Sequence, residues 1–112
     1  MLGWKYLLDS GYKILEKNFR CAIGEIDVIA EKNKRIIFIE IKTRSNAHFG
    51  LPQEAVTSAK QVKLARLAEW YLKEKKKINS LVSFEVLAVS WKENTPAEFK
   101  LIENAFEAGT AF

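Results

Sequence analysis

Four charged residues interrupt stretches otherwise built from Ile, Val, Phe and Ala: Glu25 and Asp27 in EIDVIA (25–30), Glu40 and Lys42 in RIIFIEIK (35–42). Burying an ionised carboxylate or ammonium in a β-core is costly unless the charge is paired or coordinates something. Side chains two apart on a strand share a face. If Asn33-Lys34 is a two-residue turn, residues whose numbers sum to 67 pair across the hairpin, which sets Asp27 opposite Glu40 and Glu25 opposite Lys42. All four then project from one face, and a slip of one residue would separate them. Two carboxylates so placed repel, and a divalent cation between them relieves both. Mg²⁺ is the natural candidate, with Mn²⁺ able to take its place. A neighbouring lysine can hydrogen-bond a water or a phosphate oxygen and stabilise the charge that develops on attack at phosphorus. The chemistry this set suggests is metal-assisted phosphodiester hydrolysis. The bland alternative is a Glu-Lys ion pair on a strand surface.

The elements that must position these residues follow from periodicity. Leu2 to Ser10 reads as a short helix with Trp4, Leu7 and Leu8 on its apolar side, ended by Gly11 as a left-handed cap. Tyr12 to Phe19 reads as a strand, and the two charged segments form the hairpin. Ile36 and Phe38 alternate with Ile37, Ile39 and Ile41, so the second hairpin strand is apolar on both faces. Only an interior strand covered on both sides suits that pattern. After a loop from Thr43 to Pro52, Thr57 is the expected N-cap of a helix reaching about Lys75, with Val62, Leu64, Ala65, Leu67, Ala68, Tyr71 and Leu72 as its buried stripe. Val82 to Val89 reads as a strand returned to the sheet by that helix, a turn covers Asn94 to Ala97, and Phe99 to Ile102 reads as a short edge strand. The expected architecture is a single α/β domain over residues 1–112.

Composition narrows the chemistry further. With 112 residues, 48% hydrophobic and 29% charged, the chain is long enough for one core. Neither a membrane span nor a secretory signal is visible, so the expected location is cytoplasmic. One cysteine, Cys21, and one histidine, His48, leave no Cys/His zinc site, so any metal must be held by oxygen. The net charge of +4 is unevenly placed, at +2 over residues 1–56, +5 over 57–77 and −3 over 78–112. The basic middle segment suits a phosphate backbone, although a solvated helix face carries the same charges. Cys21 reads as a packing residue, His48 as a loop residue, and Trp4, Trp70, Tyr71 and Trp91 as core or interface aromatics rather than base-stacking platforms.

Asp27 followed by Glu40-Ile41-Lys42 resembles the acid and acid-x-lysine pattern of the PD-(D/E)XK nuclease superfamily. The words GYKILEKNFRC (11–21), GEIDVIA (24–30), FIEIKTR (38–44), FG-x-P-x-EAVT (49–57) and IENAF (102–106) are more specific and resemble the YraN-type family of small bacterial proteins. That likeness spans nearly the whole chain. It implies a restriction-endonuclease-like three-layer core, αβββαβ with a central mixed sheet, similar to that of Holliday junction resolvases. It assigns metal ligation to Asp27, Glu40 and the Ile41 carbonyl, and the water-orienting or charge-stabilising role to Lys42. Glu25, part of the GEID word, is a supporting residue. Lys60 and Gln61 match the family's Lys-Gln pair near the start of the long helix, within reach of the site or a phosphate, which sets Gln61 among the catalytic residues. By position and charge rather than by the resemblance, Lys60, Lys63 and Arg66 on the basic helix and Arg44, two residues after Lys42, are the expected nucleic-acid contacts, with surface solubility the alternative for Arg44. Two departures stand out. The Gly-Glu pair of the family's first helix has no counterpart, its glutamate falling immediately before Met1, and Glu85 stands where aspartate is more usual. Glu85 is expected as a strand-edge charge or a helix-facing pair.

The resulting expectation is a Mg²⁺-dependent endonuclease or structure-selective nuclease acting on nucleic acid, with DNA the expected class and RNA left open, and with branched substrates and a homodimer suggested by the resolvases. The alternative is a nucleic-acid-binding module on the same scaffold with little or no catalysis, favoured by the missing first-helix acid. A third reading is a structural protein whose strand charges merely pair with one another.

Overall fold

In a computed structural model of the protein, residues 2–44, 58–91 and 94–103 are described. The order is α1 (Leu2–Asp9), β1 (Lys13–Cys21), β2 (Gly24–Lys32), β3 (Arg35–Arg44), α2 (Ser58–Glu74), β4 (Leu81–Ser90) and β5 (Glu98–Ile102). The strands form one mixed sheet in sequence order, antiparallel at every pair except the parallel β3–β4 pair joined through α2. The expected αβββαβ order with a central mixed sheet is observed, with β5 added at the edge.

Each element has a local cause. Asn33 and Lys34 have φ of +52° and +63°, so the β2–β3 turn has both central residues left-handed, as a two-residue hairpin of this twist requires. The pairs run from Lys32↔Arg35 to Val28↔Ile39, the register expected from the sequence. α1 ends on Gly11, whose φ is +91°. The Tyr12 N–H donates to the Leu7 carbonyl at 3.0 Å and the Gly11 N–H to that of Leu8 at 3.1 Å, closing the carbonyls of the last turn. α2 ends in the same way on Lys76, with Lys77 donating to Leu72.

The two helices cover opposite faces. On one, Leu64, Leu67, Ala68, Tyr71 and Leu72 of α2 pack on Ile29, Ile36, Phe38 and Phe84. On the other, Leu7 and Tyr12 pack on Val28, Ala30, Ile37, Ile39, Leu87 and Val89. β3 is therefore the covered interior strand that its sequence demands. The helix stripes are narrower than the sequence suggested: Val62 and Leu8 are exposed and Ala65 is only half-buried. Trp70 and Trp91 likewise reach solvent rather than filling the core.

Glu85 is not a strand-edge charge; it is paired on the face that α1 covers. It lies inside β4, 7% exposed, on the face opposite α2, and its Oε1 accepts the Tyr12 hydroxyl at 2.7 Å. Burial first, and then the charge of Glu103, push its carboxyl above the ordinary value of 4.5, against the Tyr12 hydrogen bond and Lys32. The folded state therefore holds this proton more tightly than the unfolded chain. Stability falls as pH rises from 4.5 through the folded-state value, and the loss persists at neutral pH. Glu85→Gln keeps an oxygen for Tyr12 and removes the ionisation. It should melt at or above the wild-type temperature at pH 7 and show a shallower decline above pH 4.5. Parallel pH–melting curves for the two proteins would reject this if they kept the same slope.

Candidate metal centre

The β2–β3 ladder stops at Val28↔Ile39. One residue further out, Asp27 does not continue the pairing. Its Oδ2 accepts the backbone N–H of Ile41 at 2.7 Å, so a side chain takes the place of a strand carbonyl. The N–H and C=O of a strand residue point to the same side, so the Ile41 carbonyl faces the same gap. Glu40, on the α2 face of β3, lies beside it. Glu40 Oε1 receives two ammonium groups, Lys42 Nζ at 3.1 Å and Lys60 Nζ from the first turn of α2. Glu40 Oε2 is buried and has no hydrogen-bond partner among the described residues.

Burial is the largest cause holding the Asp27 carboxyl above its ordinary value, and the negative charge of Glu40 adds to it. The Ile41 N–H, Lys42 and Lys60 act in the opposite direction. The two carboxylates are thus close enough to repel, as the strand register suggested. No cluster of three or more His, Cys, Asp or Glu side chains occurs among the described residues. Two carboxylates and one carbonyl form a hard oxygen set of the kind that suits Mg²⁺, which keeps several waters or substrate oxygens in its shell. The bare Oε2 is the observation that fits a cation there, since a buried carboxylate oxygen without a donor is costly.

The pair opens onto a cleft of about 590 Å³ between the β1–β2 hairpin end and α2. Arg20, Gly24, Glu25, Asp27, Glu40, Lys60 and Lys63 are among its lining residues. A shallower groove of about 410 Å³ continues it past Ile23 and Lys63 to Arg66. Gly24 makes this closeness feasible. Its φ is +151°, and a Cβ there would lie 3.2 Å from Lys63 Cε.

The expected site residues therefore divide. Asp27, Glu40, Lys42 and Lys60 converge, with the Ile41 backbone between them. Lys63 lines the cleft and Arg66 its extension. Glu25 lines the rim, but its carboxylate pairs with Arg20 at 3.1 Å instead of meeting Lys42. Gln61 is half-buried on α2 and is not among the residues lining the cleft. The Arg44 side chain, His48, Thr57 and the 49–57 word lie outside the described residues. Arg20 was missed by sequence reasoning. Its signal was a basic residue beside a turn, since the two-residue turn at Ala22-Ile23 pairs Cys21 with Gly24 and sets Arg20 opposite Glu25.

The model of a protein family described as "Uncharacterised protein family UPF0102" matches residues 2–89. The chain belongs to the UPF0102 family. This is the YraN-type family that the sequence words resemble. The chain is 42% identical to a UPF0102 protein of Caldicellulosiruptor saccharolyticus over 91% of its own length and 87% of that protein's. It is 44% identical to UPF0102 proteins of Moorella thermoacetica, over 89% of this chain and 84% of the other, and Clostridium acetobutylicum, over 91% and 84%. The UPF0102 match thus includes both strands of the candidate metal centre, α2 and most of β4.

Proposed function

We propose that this chain is a metal-dependent nuclease of the PD-(D/E)XK type, hydrolysing phosphodiester bonds in nucleic acid, with DNA the preferred class. The convergence of Asp27, Glu40 and Lys42 beside a cleft that Arg20, Lys60 and Lys63 also line, with Glu40 Oε2 left bare, carries the reading. Asp27, Glu40 and the Ile41 carbonyl would hold Mg²⁺, which supplies charge stabilisation at phosphorus and a more acidic bound water. Lys42 orients the attacking water or balances charge on the phosphoryl oxygens. Lys63, Arg66 and Arg20 lie along the cleft where flanking phosphates would run. No helix among the described residues is long and apolar enough to cross a membrane, and the proposal places the protein in the cytoplasm beside its substrate.

One observation favours the second reading, a binding module with weak catalysis: among the described residues the centre offers two carboxylates and no third acidic, cysteine or histidine side chain joins them. A panel of duplex, single-stranded and four-way-junction DNA and of RNA, incubated with Mg²⁺, Mn²⁺ or EDTA, separates the readings. The nuclease reading expects metal-dependent cleavage of at least one substrate. Binding without cleavage would move the conclusion to the module, and neither would leave only paired structural charges. In either nucleic-acid reading, Lys63→Ala and Arg66→Ala should weaken binding irrespective of base sequence and each lower the salt slope of log K by about 1. Affinity that ignored salt would count against both.

A further inference from the structure

The dipole of a helix favours negative charge at its N-terminus and disfavours a cation there. α2 nevertheless has no acidic residue in its first turn and carries Lys60 in it. Glu40 holds that ammonium in place: Lys60 Nζ donates to Oε1, the oxygen that Lys42 already occupies at 3.1 Å. The Lys60 charge also acts on Asp27. One ammonium delivered from the helix layer thus serves both carboxylates of the sheet layer. The two lysines differ in attachment, since Lys42 stands two residues from Glu40 on the same strand whereas Lys60 reaches it across the cleft that its own side chain lines. The Lys60 side chain is 32% exposed against 13% for Glu40, so the lysine is the partner with room to move.

We propose, resting on the metal-centre reading above, that Lys60 is an exchangeable counterion. It neutralises the Asp27–Glu40 pair while no divalent cation is held there, and it turns from Glu40 to a phosphate oxygen in the cleft when one is. Lys60 is then a positioning residue that sets the metal affinity of the pair, and no part of the metal shell. A divalent cation at Oε2 and the Lys60 ammonium at Oε1 of the same carboxylate repel each other, so the exchange is competitive. The ammonium displaced from Glu40 stands with Lys63 in the lining of the cleft, where a substrate phosphate would lie.

Metal binding tests this without any cleavage assay. Mn²⁺ titrations of the full chain by calorimetry, paired with melting curves in EDTA and in Mg²⁺, are compared for the wild type, Lys60→Met, Lys60→Gln, Lys60→Arg and Asp27→Asn. Both neutral variants should bind Mn²⁺ roughly tenfold more tightly than the wild type, the change expected when a charge competing for a partly exposed site is removed. They should melt lower in EDTA and gain more from Mg²⁺, and Lys60→Arg should return toward wild-type affinity. A structural ion pair alone would lower the melting temperature equally with and without Mg²⁺. Unchanged or weakened Mn²⁺ affinity in the neutral variants, with the wild type binding, overturns the exchange and leaves the metal centre standing. Wild type and neutral variants that all fail to bind metal overturn the centre itself, and the exchange with it.

Discussion

Asp27→Asn should abolish metal-dependent cleavage while leaving the protein at least as stable as the wild type. The two effects separate because of what the side chain does. Its Oδ2 accepts the Ile41 N–H at 2.7 Å, and the asparagine oxygen can accept the same bond. Its ionised form is disfavoured, by burial first and then by Glu40, so the folded protein binds this proton more tightly than the unfolded chain. Holding Asp27 ionised at neutral pH therefore costs stability, and a neutral amide removes that cost. The proposed metal centre, by contrast, would lose half of its carboxylate charge. Outer-shell substitutions alone lower metal affinity or activity by about 10- to 100-fold, so loss of a direct ligand should lower cleavage by at least about 100-fold. Glu40→Gln should differ, because Lys42 and Lys60 both lose their counterion and stability should fall together with activity. Turnover at saturating Mg²⁺ and melting in EDTA measure the two properties independently. A clearly lowered melting temperature for Asp27→Asn, with cleavage retained, would show that the carboxylate serves the fold and not the chemistry.

How far the sequence carried this picture depends on the range of each interaction. The hairpin register was legible because a two-residue turn and strict alternation fix it locally, and the observed pairs from Val28↔Ile39 to Lys32↔Arg35 follow it. The same logic failed one step beyond the ladder. It set Glu25 against Lys42, but the β2–β3 ladder ends at Val28↔Ile39, and Arg20, directly opposite Glu25 across the Ala22-Ile23 turn, takes its carboxylate. The basic character of α2 was legible, yet the contact of Lys60 with Glu40 was not, since it depends on how the crossover helix lies on the sheet. The Tyr12–Glu85 pair joins residues 73 apart and left no local trace. The overestimate of the α2 stripe has a simpler origin. Residues two apart on a helix point about 200° apart, so Val62 could not share the buried side of Leu64.

Phe38→Ala should be the most damaging single core substitution near the site. The ring is 1% exposed, stacks with Phe84 at 5.6 Å between centroids and receives the edge of Tyr71 at 5.9 Å. It joins the α2 layer to both central strands, and two residues later the same face of β3 carries Glu40. Truncating a buried Phe costs about 3–5 kcal/mol, partly through lost transfer energy and partly through the cavity left behind. A domain of this size holds only about 5–15 kcal/mol in total, so the urea midpoint should fall by about a fifth or more. Val62→Ala on the exposed side of the same helix should stay within about 0.5 kcal/mol of the wild type. The comparison with Asp27→Asn is informative because the two substitutions lie on adjacent strands. One empties the core and leaves every charge in place, whereas the other removes a charge and leaves the core filled. If Phe38→Ala kept its urea midpoint, α2 would not rest on β3 through this ring. The packing that delivers Lys60 to Glu40 would then need a different foundation.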